Sequence, residues 1–143
     1  MRRMKHNGKN NIYLNEVDIE RVVLSKFVNL TSYDLRASRS RKEEVRFPRQ
    51  LCHYFGMLYG VSSSSRLGTY FGKRDHTTVL HSCKVIQRLR SLRFGNKKRE
   101  LIEELDRALS SIVQCRKNNA EFDYYGLQSA DVSPQTLYYQ RPM

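Results

Sequence analysis

A chain of 143 residues is the size of one small domain with tails. Twenty-six Lys and Arg against fourteen Asp and Glu leave a formal charge of +12 and a pI near 9.9, so an anionic partner is the leading expectation. Cys52, Cys83 and Cys115 are too few and too scattered for a disulfide framework, no apolar run approaches a membrane span, and the N-terminus lacks the apolar core of a signal peptide, which points to a cytosolic chain.

The charge is uneven. Residues 36–93 hold thirteen Lys or Arg against Glu43, Glu44 and Asp75, whereas residues 118–143 hold Arg141 against Glu121, Asp123 and Asp131. A basic middle and a near-neutral end argue for a localised binding surface.

In chain order, residues 1–15 carry Arg2, Arg3, Lys5 and Lys9 among Asn and Gly and suggest a flexible basic arm that adds non-specific phosphate contacts. A folded domain over residues 16–116 follows, and residues 117–143 form a polar, Tyr-rich tail with too few aliphatics for a core. Within the domain, Ile19, Val22, Val23, Phe27 and Leu30 recur at helical spacing and predict a helix from about Val17 to Leu30. Thr31–Leu35 has capping chemistry and suggests a short helical turn.

Residues 36–46 form a charged stretch in which Arg36, Arg39 and Arg41 are spaced by small residues. Alone it is a solvated linker; beside a DNA-binding unit it is suited to a narrow, AT-rich minor groove. A helix is predicted over Phe47–Tyr59, with Pro48 in its first turn and Leu51, Cys52, Phe55, Leu58 and Tyr59 facing inward. A short helix over Ser65–Phe71, a longer one over His76–Arg93, a break at Phe94-Gly95-Asn96 and a strongly amphipathic helix over Lys97–Arg116 complete the domain.

Chemistry concentrates in Gly72-Lys73-Arg74-Asp75-His76-Thr77-Thr78-Val79-Leu80-His81-Ser82-Cys83-Lys84. Gly72 can take positive φ at a sharp corner and Asp75 is a good N-cap, placing His76, Thr77 and Thr78 in a first helical turn. Such a tip suits the major groove, because Asp accepts from cytosine N4, His donates to a base acceptor and Thr methyls touch thymine methyls. The competing interpretation is an ordinary capped helix behind a solvated basic turn.

That string closely resembles the signature of the C-terminal DNA-binding domain of the bacterial replication initiator DnaA, where the family has Gly-Gly-Arg-Asp-His-Thr-Thr-Val-Leu-His-Ala-Cys. The similarity spans roughly residues 17–112 and includes the Arg-rich loop, Pro48-Arg49-Gln50, and an ungapped spacing from Pro48 to Asp75. The resemblance implies an all-α bundle containing a helix-turn-helix and binding to AT-rich, DnaA-box-like double-stranded DNA in replication initiation or its regulation. It implies Arg41 as a minor-groove arginine and Arg49 and Gln50 near the DNA at the following helix. Lys73 and Arg74 fall in the basic turn, Asp75, His76, Thr77 and Thr78 at the major-groove readers, and His81 at a flanking contact.

Departures from the family concern phosphate contacts. The second loop arginine falls at Glu43, the arginine before proline is Phe47 with Arg46 one place earlier, a usual lysine is Met57, and Leu-Pro-Glu becomes Ser64-Ser65-Arg66. The initiator's motor motif, Gly-x-x-x-x-Gly-Lys-Ser/Thr, does not occur in the sequence, so the expectation is a nucleoid-associated DNA-reading domain standing alone, without ATPase activity.

His76, His81 and Cys83 lack the spacing of a metal site, and neither catalytic constellation nor cofactor is implied. The alternatives are a transcriptional regulator with the same fold, or a protein-interaction module that meets replisome, initiator or virion proteins through the last helix or tail.

Overall fold

The computed structural model describes residues 12–93 and 95–119, so most of the basic arm, nearly all of the Tyr-rich tail, and Phe94 in the expected break lie outside the described residues. The described residues form six helices and no strand: α1 Glu16–Leu24, α2 Ser32–Arg36, α3 Glu43–Leu58, α4 Ser64–Tyr70, α5 His76–Arg90 and α6 Lys97–Lys117. None of them is long and apolar enough to cross a membrane.

Local chemistry explains the helix starts. A capping box opens α1, in which the Asp18 amide donates to Asn15 Oδ1 at 3.0 Å and the Asn15 amide to Asp18 Oδ2 at 2.9 Å. Ser63 caps α4, Asp75 caps α5 and Asn96 caps α6, each side-chain oxygen accepting from the backbone N–H three residues on.

The expected helix over Val17–Leu30 is shorter than its apolar periodicity suggests. It ends at Leu24, where Ser25 Oγ donates to the Val22 carbonyl at 2.6 Å and successive tight turns redirect the chain. Phe27 reaches the core from these turns and meets Phe47 edge to face, with ring centroids 6.2 Å apart. In α3 the correction runs the other way. The helix begins at Glu43, whose carboxylate and that of Glu44 suit the positive end of the dipole, so Pro48 falls in its second turn. The other termini differ from expectation by a few residues: α4 begins and ends one residue earlier, α5 stops at Arg90, and Leu58 is exposed instead of inward-facing.

Helix α3 is the centre of the domain and packs on α1, α2, α4 and α5, while α6 closes the bundle against α1 and α5. The core joins Ile19, Leu35, Leu51, Phe55, Leu67, Phe71, Val79, Ile86, Leu101, Leu105 and Leu109, all fully buried. Gly68 on α4 permits one tight approach, since a Cβ there would overlap the Arg74 carbonyl.

A polar cluster fastens α6 to the rest. Arg90 on α5 donates to Glu103 at 2.8 and 3.1 Å, to Asp106, and to Tyr54 Oη on α3 at 2.9 Å; Tyr59 Oη also meets Asp106 and, at 2.7 Å, Ser110. The Arg90 hydrogen bonds hold the Glu103 carboxyl below its usual range. Removing only the cation leaves half-buried acids and a phenol without their donor. Arg90→Ala is therefore expected to cost about 1–3 kcal/mol, less than a fully buried pair because water reaches these groups. Urea denaturation at neutral pH checks this.

Candidate nucleic-acid interface

Helices α4 and α5 form the helix-turn-helix, and the corner between them has unusual backbone. Gly72 and Lys73 both lie in the left-handed region, at φ 96° and 52°. The Arg74 amide returns to the Gly68 carbonyl at 2.7 Å, and the Gly72 amide donates to the Arg36 carbonyl at the end of α2, at 3.2 Å. The corner is thereby tied to both α4 and α2.

Beyond it, Asp75 Oδ1 accepts from the Thr78 amide at 3.0 Å and lies 3.2 Å from the Thr78 hydroxyl. The Thr78 backbone hydrogen bond is the main reason its carboxyl is held below the ordinary value. Asp75, His76, Thr77 and, one turn on, His81 are exposed, as is Lys73; Thr78 and Arg74 are half-buried. The helix tip therefore presents Asp75, His76 and Thr77 outward, with Thr78 turned back toward the cap.

Arg49 is placed differently from expectation. Its residue surface is 4% exposed, and its guanidinium donates to four backbone carbonyls: Leu35 and Ser40 at 3.3 Å, Asp34 and Ser38 at 2.8 Å. Burial, and then neighbouring Arg74, lower its pKa from the usual value. A Cβ at Gly72 would overlap the Arg49 side chain, so glycine is needed there for packing as well as for φ. Arg49 is thus not an outward contact in this structure. It braces the segment that carries Arg39 and Arg41 against the helix-turn-helix corner.

Between the start of α3, the first turns of α5 and the head of α6 lies a cleft of about 500 Å³. It brings together Arg41, Arg49, Gln50, Arg74, Thr78 and His81 from the expected set, Arg49 contributing only the edge of its buried side chain, while Lys73 and the outer tip residues lie beyond its lining. Two cations join that the expected set did not include. Arg46 comes from the first turn of α3, and Lys98 comes from α6, fifty-five residues from Glu43 yet 3.4 Å from its carboxylate. Glu43 also lies 3.7 Å from Arg46, so this acid partly offsets an otherwise cationic cleft. Arg46 was visible in sequence as a displaced loop arginine; only the docking of α6 places Lys98.

Behind the cleft, His53 is 1% exposed and bridges two elements: Nε2 lies 2.8 Å from the Phe71 carbonyl and Nδ1 2.9 Å from Ser82 Oγ. A carbonyl can only accept, so Nε2 carries the proton and Nδ1 is left as an acceptor; the one Ser82 hydroxyl proton is shared between Nδ1 and the Thr78 carbonyl, which lies 3.0 Å from Ser82 Oγ. Burial is the largest cause that lowers the His53 pKa to about 4, keeping the ring neutral.

Residues 18–86 match the family model described as bacterial DnaA protein helix-turn-helix. Proteins described as chromosomal replication initiator protein DnaA are similar to this chain. The Chlorobaculum tepidum protein is 38% identical over 87 residues, covering 61% of this chain and 17% of the relative. The Bacteroides thetaiotaomicron protein is 40% identical over 74 residues (49% and 14%), and the Rickettsia canadensis protein 39% over 72 residues (50% and 15%). The chain spans less than a fifth of the length of these relatives.

The buried imidazole sets a pH dependence of stability. Its folded pKa is below the unfolded value, so its contribution is complete above about pH 6.5 and falls away as the pH drops through about 4. Between pH 7 and pH 4.5 this single group is expected to remove on the order of 2–3 kcal/mol. His53→Gln should flatten that part of a urea-midpoint profile relative to the native chain.

Proposed function

Taking residues 18–86 as a helix-turn-helix domain of the bacterial DnaA family, we propose that this chain binds AT-rich, DnaA-box-like double-stranded DNA and acts in replication initiation or its regulation. One observation carries the reading. Arg49 ties the loop that carries Arg41 to the corner that leads into the exposed first turn of α5, beside a cleft that Arg46, Arg74 and Lys98 also line.

Each part has a physical task. Asp75, His76 and Thr77 face the edges of bases in the major groove; Thr78 fixes the cap. Arg41 enters the narrow minor groove, where negative potential is strongest. Gln50, Lys73, Arg74 and His81 approach phosphates, joined by Arg46 and Lys98. Arg49 acts through the loop and does not touch DNA. The activity proposed for residues 18–86 is DNA binding.

Anisotropy titrations with a TTATCCACA duplex and a shuffled duplex test this reading. Preference for the first is expected across moderate ionic strengths, and equal affinity would reject it. Asp75→Asn keeps a competent cap while replacing a pure acceptor, and His76→Ala removes a donor. Each is expected to lower the cognate-to-shuffled ratio roughly ten-fold. If both duplexes lose affinity equally, these side chains do not read bases. Glu43→Gln should instead tighten binding to both duplexes and steepen the salt dependence, since it releases Arg46 and Lys98 to phosphates.

A further inference from the structure

A second groove, of about 470 Å³, lies on the other side of the helix-turn-helix corner, lined by Tyr33, Arg36, Ala37, Thr69, Tyr70 and Lys73. Its chemistry differs from that of the first. Tyr33 is 66% exposed, with an aromatic ring at the surface of a five-residue helix that has no core role for it. Arg36 stacks over the Tyr70 ring, 4.4 Å from its centroid. The Arg36 side chain is itself 49% exposed. Lys73 enters from the corner, where its left-handed backbone sets it apart from the Arg74 that follows into the first cleft.

Nearby acids are already committed. Glu20 is buried below Arg36, 3.8 Å from Nε, and its other oxygen accepts from Ser32 at 2.7 Å; Glu16 lies 3.8 Å from Arg66. The rim of the groove therefore combines an outward tyrosine with two cations.

We infer that this groove binds an unpaired DNA strand, with a base stacked on Tyr33 and its phosphate held by Arg36, while Lys73 at the corner serves the strand and the duplex in turn. Duplex DNA is the poorer fit for these groups, because its base faces are hidden in the stack and an exposed aromatic ring finds nothing to stack on. Single strands are held by this pairing of an aromatic platform with neighbouring cations. The volume is that of a pocket for a small ligand, enough for one splayed nucleotide. Position supports the same occupant: the Gly72 amide bonds to the Arg36 carbonyl, so the groove is fixed to the corner that meets the duplex. The inference rests on the duplex-binding reading for its setting, but its test is separate.

The experiment measures anisotropy of a labelled oligothymidylate of roughly ten nucleotides, and in parallel of the blunt TTATCCACA duplex, with the full chain. Tyr33→Ala is expected to weaken oligothymidylate binding about ten-fold and to leave the duplex unchanged, while Tyr33→Phe restores it because the ring alone is needed. Arg36→Gln should weaken the oligonucleotide and lower its salt dependence by about one phosphate contact. The inference is overturned if the native chain ignores the oligothymidylate or if Tyr33→Ala binds it as the native chain does. Loss of oligonucleotide and duplex together, with helicity retained by circular dichroism, would make the groove a duplex flank and overturn it too. Absence of any box preference in the duplex arm strikes the proposed function and leaves the oligonucleotide arm to judge the groove.

Discussion

One buried guanidinium sets the shape of the whole surface. Arg49 sits on α3, the central helix, and its donors point to the carbonyls of residues 34, 35, 38 and 40, a segment with little core of its own apart from Leu35. An irregular segment leaves carbonyls without helical partners, and burying them beside a cation that can donate in several directions satisfies both. The same side chain lies against Gly72, so the Arg-rich loop and the helix-turn-helix corner share one anchor. Losing the guanidinium would release both at once.

Around that anchor the molecule divides labour by exposure. The groups that suit base edges stand on the solvent-facing first turn of α5, whose backbone is held by the Asp75 cap and whose inner face is held by Val79, Ser82 and Ile86. The cations that suit phosphates come from three separate elements and meet only in the folded domain. Under the proposed function such an arrangement separates preference from affinity: a change in Glu43 or Lys98 would act on the electrostatic background, whereas a change at His76 would act on discrimination. Helix α6 serves this division by supplying Lys98 and by closing the core through the Arg90 cluster.

Much of the fold could be read from residue patterns. The stripe Leu101, Ile102, Leu105, Leu109 and Ile112 marks α6, and Asp75 after a glycine-containing corner marks α5, because caps and 3.6-residue periodicity are local signals. Non-local effects were hidden. The apolar spacing of α1 continues past Leu24 because Phe27 packs into the core from a turn, so periodicity alone could not show where the helix stopped. The charges of residues 43–46 resemble a linker, and only their place at a helix start gives them order. Arg49 looked like a surface contact because the carbonyls that receive it lie nine to fifteen residues away, in the last turn of α2 and the loop that follows. Lys98 had no sequence signal at all, since its position depends on how α6 docks.

The central claim is that Arg49 serves recognition by holding the loop in register with α5. The measurement that bears on it most directly compares Arg49→Lys with the native chain on cognate and shuffled duplexes, helicity being verified in both. A lysine keeps the positive charge but cannot span four carbonyls, so the account predicts that affinity for the shuffled duplex survives while preference for the cognate one collapses. Undiminished preference, or an equal loss on both duplexes, would contradict it.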